Sequence, residues 1–355
     1  MPTSRFAGIF GLLCLGAKAT AFRPDTESLL AKGLDKLPIA YNLLDSQTKA
    51  VVPVGSSFWS SSFIRGSDDH DYMIVSHVLA GQPISPSLYR GSVLDISNTS
   101  RYARFEIFSD ISNVYSATGD LNATYSDYGF SSISSDKSPA MRTWSSISGS
   151  EFDLTFDLSS PALLNGGLGS FPAANSTAYE WSMPAGKTKG WLQIDGKKVS
   201  VDTKRSVTWY DRQWSGAPAS WTWFQLHIEG DEPGVPETPY SIWAWPRTTS
   251  GSEGISTSRD ARGVQSVAPV ASVKTSDRIF TSPASGVEYA LDWTVKLADG
   301  TQFSVSSVRD DQELYADGGQ FATWEGFVKV TGRHKDGRKF KGYGLVEIEP
   351  PKASS

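Results

Sequence analysis

A face of tryptophans and hydrogen-bonding groups runs through residues 221–229. Alternation with the period of a β-strand separates an apolar face from a face that carries Trp221, Trp223, Gln225, His227 and Glu229. Apolar walls with a few convergent polar groups are typical of a small-molecule cavity. The pattern therefore predicts that Trp223 and Gln225 line a cavity, with packing of the tryptophans between two β domains as the alternative.

A second aromatic stretch, residues 207–214, places Asp211 beside Arg212. A buried arginine is usually paired, so a local ion pair that holds a turn is one interpretation of these two residues. Binding of a ligand oxygen by Arg212 is the other. Trp243 belongs to the next aromatic strand along the chain.

Acidic residues surround His70 in the segment between Trp59 and His77. Asp69 lies in this predicted hairpin turn, and alternation along the following strand places Met73, Val75 and His77 on one face. The four histidines of the chain have no metal-ligand spacing, and the single cysteine is near the N-terminus, so no metal site is expected. Motifs for a serine nucleophile or a phosphate loop are absent from the sequence.

A C-terminal hairpin carries the third set of candidate residues. It contains Trp324-Glu325-Gly326 on one strand and Gly342-Tyr343-Gly344 on the other. Glu325 has two interpretations that stay open at the level of sequence, an ion pair with an Arg or Lys and a catalytic carboxyl.

These residues are distributed over many short strands. Residues 151–158 alternate strictly between apolar and polar side chains, which predicts a half-buried strand, and Asp195-Gly196, Asp299-Gly300 and Asp336-Gly337 predict hairpin turns. We predict an all-β fold of two packed barrel or sandwich domains, residues 22–214 and 215–355, with one short helix within residues 24–37.

Composition and the N-terminus indicate a secreted globular protein. The 355 residues carry a net charge of −5, which makes a nucleic-acid partner unexpected. Residues 1–21 have the pattern of a signal peptide, which includes Cys14, and no later stretch is long and apolar enough for a membrane span. Three sequons predict glycosylation at Asn98, Asn122 and Asn175.

The three motif groups, taken together and in this order, resemble the lipocalin-like superfamily that includes hydroxyneurosporene synthases, secreted fungal kievitone hydratases and fungal Diels-Alderases. They are Trp59-x-Ser61-Ser62-Phe63 with residues 70–77, residues 209–214 with Trp221-x-Trp223-Phe224, and Trp324-Glu325-Gly326 with residues 342–347. The resemblance spans nearly the whole mature chain. It implies two lipocalin-like domains, a pocket inside or between them for an apolar small molecule, and no cofactor. A glutamate that often precedes the first aromatic pair in other members is replaced here by Ser56 and Ser57, so its role is not transferred.

The secreted fungal branch of this superfamily suggests a hetero-Diels-Alderase. Such an enzyme joins a quinone methide, made from a hydroxymethyl tropolone or phenol, to a humulene-type sesquiterpene alkene. Two alternatives remain, a hydratase that adds water to a prenyl alkene and a carrier without catalysis. Residues hypothesised to assist proton transfer are Asp69, His77 and Glu325. Residues hypothesised to bind ring oxygens are Arg212, Gln225 and Tyr343. The hypothesised apolar wall consists of Trp59, Trp223, Trp243 and Trp324.

Overall fold

The structure, a computed structural model, describes residues 55–81, 84–109, 121–133, 140–173, 176–214, 220–230, 235–245, 254–315 and 322–350. The described residues form 24 strands and no helix, and none of them builds a helix long and apolar enough to cross a bilayer. The expected signal peptide, the N-terminal helix and Asn175 lie outside these ranges. The strands are β1 (Ser56–Arg65), β2 (Asp71–Gly81), β3 (Ile84–Asp95), β4 (Tyr102–Ser109), β5 (Asn122–Thr124), β6 (Tyr128–Ser132), β7 (Ala140–Ser145), β8 (Phe152–Asp157), β9 (Leu163–Leu164), β10 (Ser170–Ala173), β11 (Ser176–Ile194), β12 (Lys197–Ser200), β13 (Val207–Trp214), β14 (Trp221–Ile228), β15 (Thr238–Ala244), β16 (Gly254–Arg259), β17 (Gln265–Thr275), β18 (Ile279–Thr281), β19 (Glu288–Ala290), β20 (Asp292–Leu297), β21 (Gln302–Ser307), β22 (Glu313–Leu314), β23 (Thr323–Arg333) and β24 (Lys339–Glu349).

Local sequence explains most of these strands. In β8 and β21 every second residue is buried, because the side chains of successive residues point to opposite faces of a sheet. The three Asp-Gly pairs lie in the turns β11–β12, β20–β21 and β23–β24, where each glycine has a positive φ. Leu291 separates the short strand β19 from β20.

The first sheet contains β1–β13, and the order of its ten principal strands is β4-β3-β2-β1-β13-β11-β8-β7-β6-β5. The sheet curls into a half-barrel, so that β5–β8 pack over one face of the central strands. Phe58, Phe130, Phe156 and Tyr210 are among the buried residues inside this curl.

The second sheet closes into an eight-stranded barrel. Its strands follow the order β21-β20-β17-β16-β15-β14-β24-β23, and pairing of β23 with β21 completes the circle. Phe224, Trp293, Trp324 and Val346 belong to the core that fills the barrel. The chain passes from the first sheet to the second between Trp214 and Trp221. The predicted all-β, lipocalin-like fold is thus confirmed.

A third buried layer lies between the two sheets. It combines residues from β1, β2 and β13 with residues from the outer wall of the barrel, on β14, β15, β23 and β24. Buried polar side chains, among them His77, Gln225 and Glu325, also lie at this interface.

Candidate active site

The first sheet presents a row of neighbouring side chains to the barrel. Backbone pairing places Trp59 of β1 between His77 of β2 and Asp211 of β13. The row continues to Arg90 of β3 beyond His77 and to Ser182 of β11 beyond Asp211. All five side chains are almost fully buried.

The barrel presents a matching row on its outer wall. Pairing places Glu325 of β23 opposite Glu347 of β24, Glu347 opposite Trp223 of β14, and Trp223 opposite Trp243 of β15. These residues face outward because their chain neighbours, such as Phe224, fill the barrel.

The two rows meet through tryptophan rings. The centroids of Trp59 and Trp223 are 5.1 Å apart in an edge-to-face arrangement, and Trp223 stacks on Trp243 at 5.8 Å. Trp209 approaches Trp223 at 6.2 Å. We call Trp59, Trp209, Trp223 and Trp243 the tryptophan cluster.

Glu325 forms a buried ion pair that joins the two sheets. Its Oε1 lies 2.6 Å from an Nη of Arg90, and its Oε2 accepts a hydrogen bond of 2.9 Å from Trp59 Nε1. Burial raises the pKa of Glu325, and the Arg90 and Trp59 contacts oppose that rise. The ion pair with Arg90 favours the charged form of this carboxyl.

His77 is held in one tautomer by Arg90. Arg90 Nε donates to His77 Nδ1 at 3.1 Å, and because a guanidinium only donates, the histidine proton lies on Nε2 and is donated to Ser57 Oγ at 2.9 Å. Burial and the positive charge of Arg90 hold the pKa of His77 well below its usual value. His77 is therefore neutral and orients the Ser57 hydroxyl.

Glu347 is the protonated neighbour of Glu325. Its Oε1 accepts a hydrogen bond of 3.1 Å from Trp221 Nε1. Burial, followed by the charge of Glu325, raises the pKa of Glu347 to about 8. The site thus contains one carboxylic acid and one carboxylate on adjacent strands, a pairing that enzymes use to separate acid and base roles.

A second hydrogen-bonded chain runs from the interface toward solvent. Ser61 Oγ donates to Gln225 Oε1, and Gln225 Nε2 donates to His227 Nε2 at 3.2 Å. The other ring nitrogen of His227 contacts Glu237 at 3.2 Å, and the Tyr343 hydroxyl donates to the same carboxylate at 3.2 Å.

A cleft of about 730 Å³ opens beside this chain between the two sheets. Phe63, Phe327 and Tyr343 lie at its inner end and also belong to the buried layer between the sheets. Glu325 lies two residues beyond Phe327 on the same face of β23, roughly 7 Å further in at the rise of a β-strand. Glu325 and Glu347 do not line the cleft, and the rings of Phe63, Phe327 and Tyr343, which pack on one another, form the end of the cleft nearest to them.

The structure brings together seven of the ten residues hypothesised from sequence to contact substrate. Tyr343 lies at the cleft. The other six lie in the buried layer between the sheets or in its polar network, and they are Trp59, His77, Trp223, Gln225, Trp243 and Glu325. The other three are elsewhere. Asp69 is in the β1–β2 turn with its side chain 87% exposed, because the turn projects into solvent.

Arg212 and Trp324 are excluded from the interface by strand alternation. The Arg212 guanidinium lies over Phe58 and Trp214 inside the first sheet, on the face opposite Asp211, so the local Asp211–Arg212 ion pair considered from sequence does not form. Trp324 points into the barrel, where its Nε1 donates to the Asp310 carbonyl.

The Trp324-Glu325-Gly326 motif has a packing explanation. A Cβ atom on Gly326 would lie 2.1 Å from the Trp324 indole, so only glycine allows that ring to lie across the inner wall of the barrel. Glu325, between these two residues, then faces the other sheet.

Sequence reasoning missed several participants. Arg90 and Ser57 gave no motif signal, whereas Glu347 was visible as an acid between the apolar residues Val346 and Ile348. Among the described residues no set of three or more His, Cys, Asp and Glu side chains is arranged to hold a metal ion. The side chains of Asn98 and Asn122 are exposed on the surface.

Comparison with known proteins finds enzymes of one family. Residues 92–349 match the AttH-like family. The chain is 31% identical to kievitone hydratase of Fusarium solani subsp. phaseoli over 93% of this chain and 91% of that protein, and 31% identical to dehydratase asqC of Emericella nidulans over 96% and 97%. A crystal structure of kievitone hydratase from Nectria haematococca superposes with a TM-score of 0.76 at 32% identity, covering 90% of this chain and 95% of that one. A structure of an AttH protein from Nitrosomonas europaea, at 19% identity and a TM-score of 0.66 over 88% and 97%, shares the fold.

Proposed function

The chain belongs to the AttH-like family, and from that premise we propose that it is a hydratase or dehydratase that acts on an apolar, oxygenated small molecule. One relative is named a hydratase and another a dehydratase, which are the two directions of one reaction. The observation that carries the proposal is the buried pair of Glu325 and Glu347 on adjacent strands, of which Glu325 forms an ion pair with Arg90 and Glu347 forms none among the described residues.

In the hydration direction Glu347 is the general acid. Its proton adds to one carbon of a carbon–carbon double bond, and the π electron pair forms the new C–H bond, which leaves a carbocation on the other carbon. A water molecule attacks that carbon and gives up one proton to the Glu325 carboxylate. The proton returns to Glu347 between turnovers, so the net change is the addition of one water. Dehydration is the same sequence in reverse.

The surroundings of the carboxyl pair suit a cationic intermediate. The faces of tryptophan rings attract positive charge, and the tryptophan cluster lies next to both carboxyls. The Ser57 hydroxyl, oriented by the neutral His77, has a lone pair and a proton available to position the water.

The proposed substrate is a phenol that carries a prenyl alkene. The cleft of about 730 Å³ combines aromatic residues such as Phe63 and Phe327 with charged residues such as Lys329, which suits a molecule with an apolar part and polar oxygens. Kievitone is the compound named for one relative. In this proposal the substrate enters from the inner end of the cleft, with its prenyl side chain rather than its ring at the acid.

Incubation of the full-length protein with a prenylated phenol in ¹⁸O-labelled water tests this proposal. We expect one labelled oxygen in the side chain of the product, and a loss of rate of at least about 100-fold in Glu347→Gln, because a positioned general acid contributes on the order of 10²–10⁴. Glu288→Gln, an exposed acid on β19, is the matched control and keeps the wild-type rate. Absence of label, or full activity in Glu347→Gln, would refute the assignment.

The relatives give no support to the cycloaddition suggested by the sequence resemblance, and both are enzymes rather than carriers. The printed names of both relatives correspond to hydration or dehydration. Loss of water from a hydroxymethyl phenol, which yields a quinone methide, uses the same acid and base, so product analysis with an added alkene separates simple dehydration from dehydration followed by cycloaddition.

A further inference from the structure

A second pair of buried carboxyls lies across the tryptophan cluster from Glu325 and Glu347. Asp211 is the backbone-pairing neighbour of Trp59, and Glu180 lies on β11, where its Oε1 accepts a hydrogen bond of 3.1 Å from Trp243 Nε1. Glu180 is fully buried and Asp211 is 4% exposed. The acid–base steps proposed above use neither of them.

The hydrogen bonds around this pair are incomplete. Asn165 Nδ2 donates to Glu180 Oε1 at 2.7 Å, and Ser182 Oγ donates to Asp211. No N–H or O–H group of the described residues donates to Glu180 Oε2, and the Oδ1 atom of the fully buried Asn165 also lacks a donor. Neither carboxyl forms an ion pair with a Lys or Arg in the described part of the chain, in contrast to Glu325 with Arg90.

Glu180 and Asp211 lie on neighbouring strands, since Asp211 pairs with Ser182, two residues beyond Glu180. Asn165 Nδ2 donates both to Glu180 Oε1 and to Ser182 Oγ, which in turn donates to Asp211, so these two side chains link the carboxyls. Two neighbouring buried carboxyls that form no ion pair in the described part of the chain do not both carry a charge at neutral pH, so the pair holds one proton. Burial raises the pKa of Asp211 to about 7, and burial together with Asp211 raises that of Glu180 well above its usual value.

We propose that the Glu180–Asp211 pair binds a phenolic hydroxyl of the substrate, an inference that rests on the proposed function. A half-protonated carboxyl pair both donates and accepts a hydrogen bond, and so does a phenol. Asn165 Oδ1 is a further acceptor next to the pair. In this proposal the aromatic ring of the substrate lies along Trp223 and Trp243. The Glu180–Asp211 pair is then at one edge of the ring, because Trp243 contacts Glu180. Glu347 is toward the other edge, because it is the pairing neighbour of Trp223.

Binding selectivity tests this proposal without turnover. The probes are 4-prenylphenol and its methyl ether, which has the same shape but no hydroxyl proton, and the readout is quenching of tryptophan fluorescence in the full-length protein. We expect the wild type to bind the phenol on the order of 10- to 100-fold more tightly than the ether, which is the range for a hydrogen bond to a charged group. Asp211→Asn and Glu180→Gln should each reduce the ratio to about one.

Glu347→Gln is the control that separates the two proposals, because it should lose hydration and keep the wild-type selectivity. Thermal unfolding and near-ultraviolet circular dichroism verify that the variants fold. Equal affinity of the wild type for phenol and ether, binding of neither, or unchanged selectivity in folded Asp211→Asn and Glu180→Gln would overturn the proposal. Failure of the labelled-water experiment alone would overturn the hydration chemistry and leave this binding result standing.

Discussion

Replacement of Glu347 by glutamine should change how the stability of the protein depends on pH. Glu347 is 8% exposed, and its pKa is raised from 4.5 to about 8. A group whose pKa is higher in the folded state stabilises that state below its unfolded pKa, and the contribution is lost as the pH rises through the folded pKa. The affected window is therefore from about pH 4.5 to above pH 8.

The size of the effect follows from the difference between the two pKa values. The difference is about 3.5, and a tenfold change in proton affinity is worth about 1.4 kcal/mol, so wild type loses up to about 5 kcal/mol across the window. Glutamine keeps the shape of the protonated acid and carries no charge at any pH. We expect Glu347→Gln to match wild type near pH 5 and to be more stable by a few kcal/mol at pH 9.

Urea unfolding at pH 5, 7 and 9 measures this difference. Urea is preferred to guanidinium because an ionic denaturant screens the charges under study. Glu288→Gln, which removes an exposed carboxyl, should follow the wild-type pH dependence. If wild type and Glu347→Gln lose the same stability between pH 5 and pH 9, Glu347 is not the protonated member of the pair and the general-acid assignment fails with it.

Three further substitutions test the packing and charge of the site. Arg90→Met should destabilise the protein by about 3–5 kcal/mol in urea unfolding, because it leaves the Glu325 carboxylate buried without its cation; an unchanged unfolding midpoint would contradict the ion pair. Trp324→Ala should lower the free energy of unfolding by about 3–5 kcal/mol, because it leaves a cavity in the barrel core. The variant molecules that fold should bind substrate with wild-type affinity. A loss of affinity in the folded variant would place Trp324 in the substrate site. Gly326→Ala should lower the thermal midpoint by an amount equivalent to about 1–3 kcal/mol, because its Cβ would overlap the Trp324 ring, and a neutral effect would refute that packing.

Much of the site follows from strand alternation in the sequence. The outward face of β14, with Trp223 and Gln225, and the shared face of Met73, Val75 and His77 on β2 lie where the period of two places them. The same rule, applied across Trp324 and Glu325, separates these two residues onto opposite faces, so the structure does not bring them together as the hypothesis of a shared site requires.

What the sequence determined by itself is local: the strands, their Asp-Gly turns and the face that each side chain occupies, because a strand's side chains alternate whatever lies beside it. The tertiary structure decided which faces meet. Trp59 and Glu325 are 266 residues apart in the chain and share a hydrogen bond, and Arg90, which carries no motif, neutralises Glu325. The protonation of Glu347 depends on burial and on the charge of a neighbouring strand, quantities that exist only once the two sheets have packed.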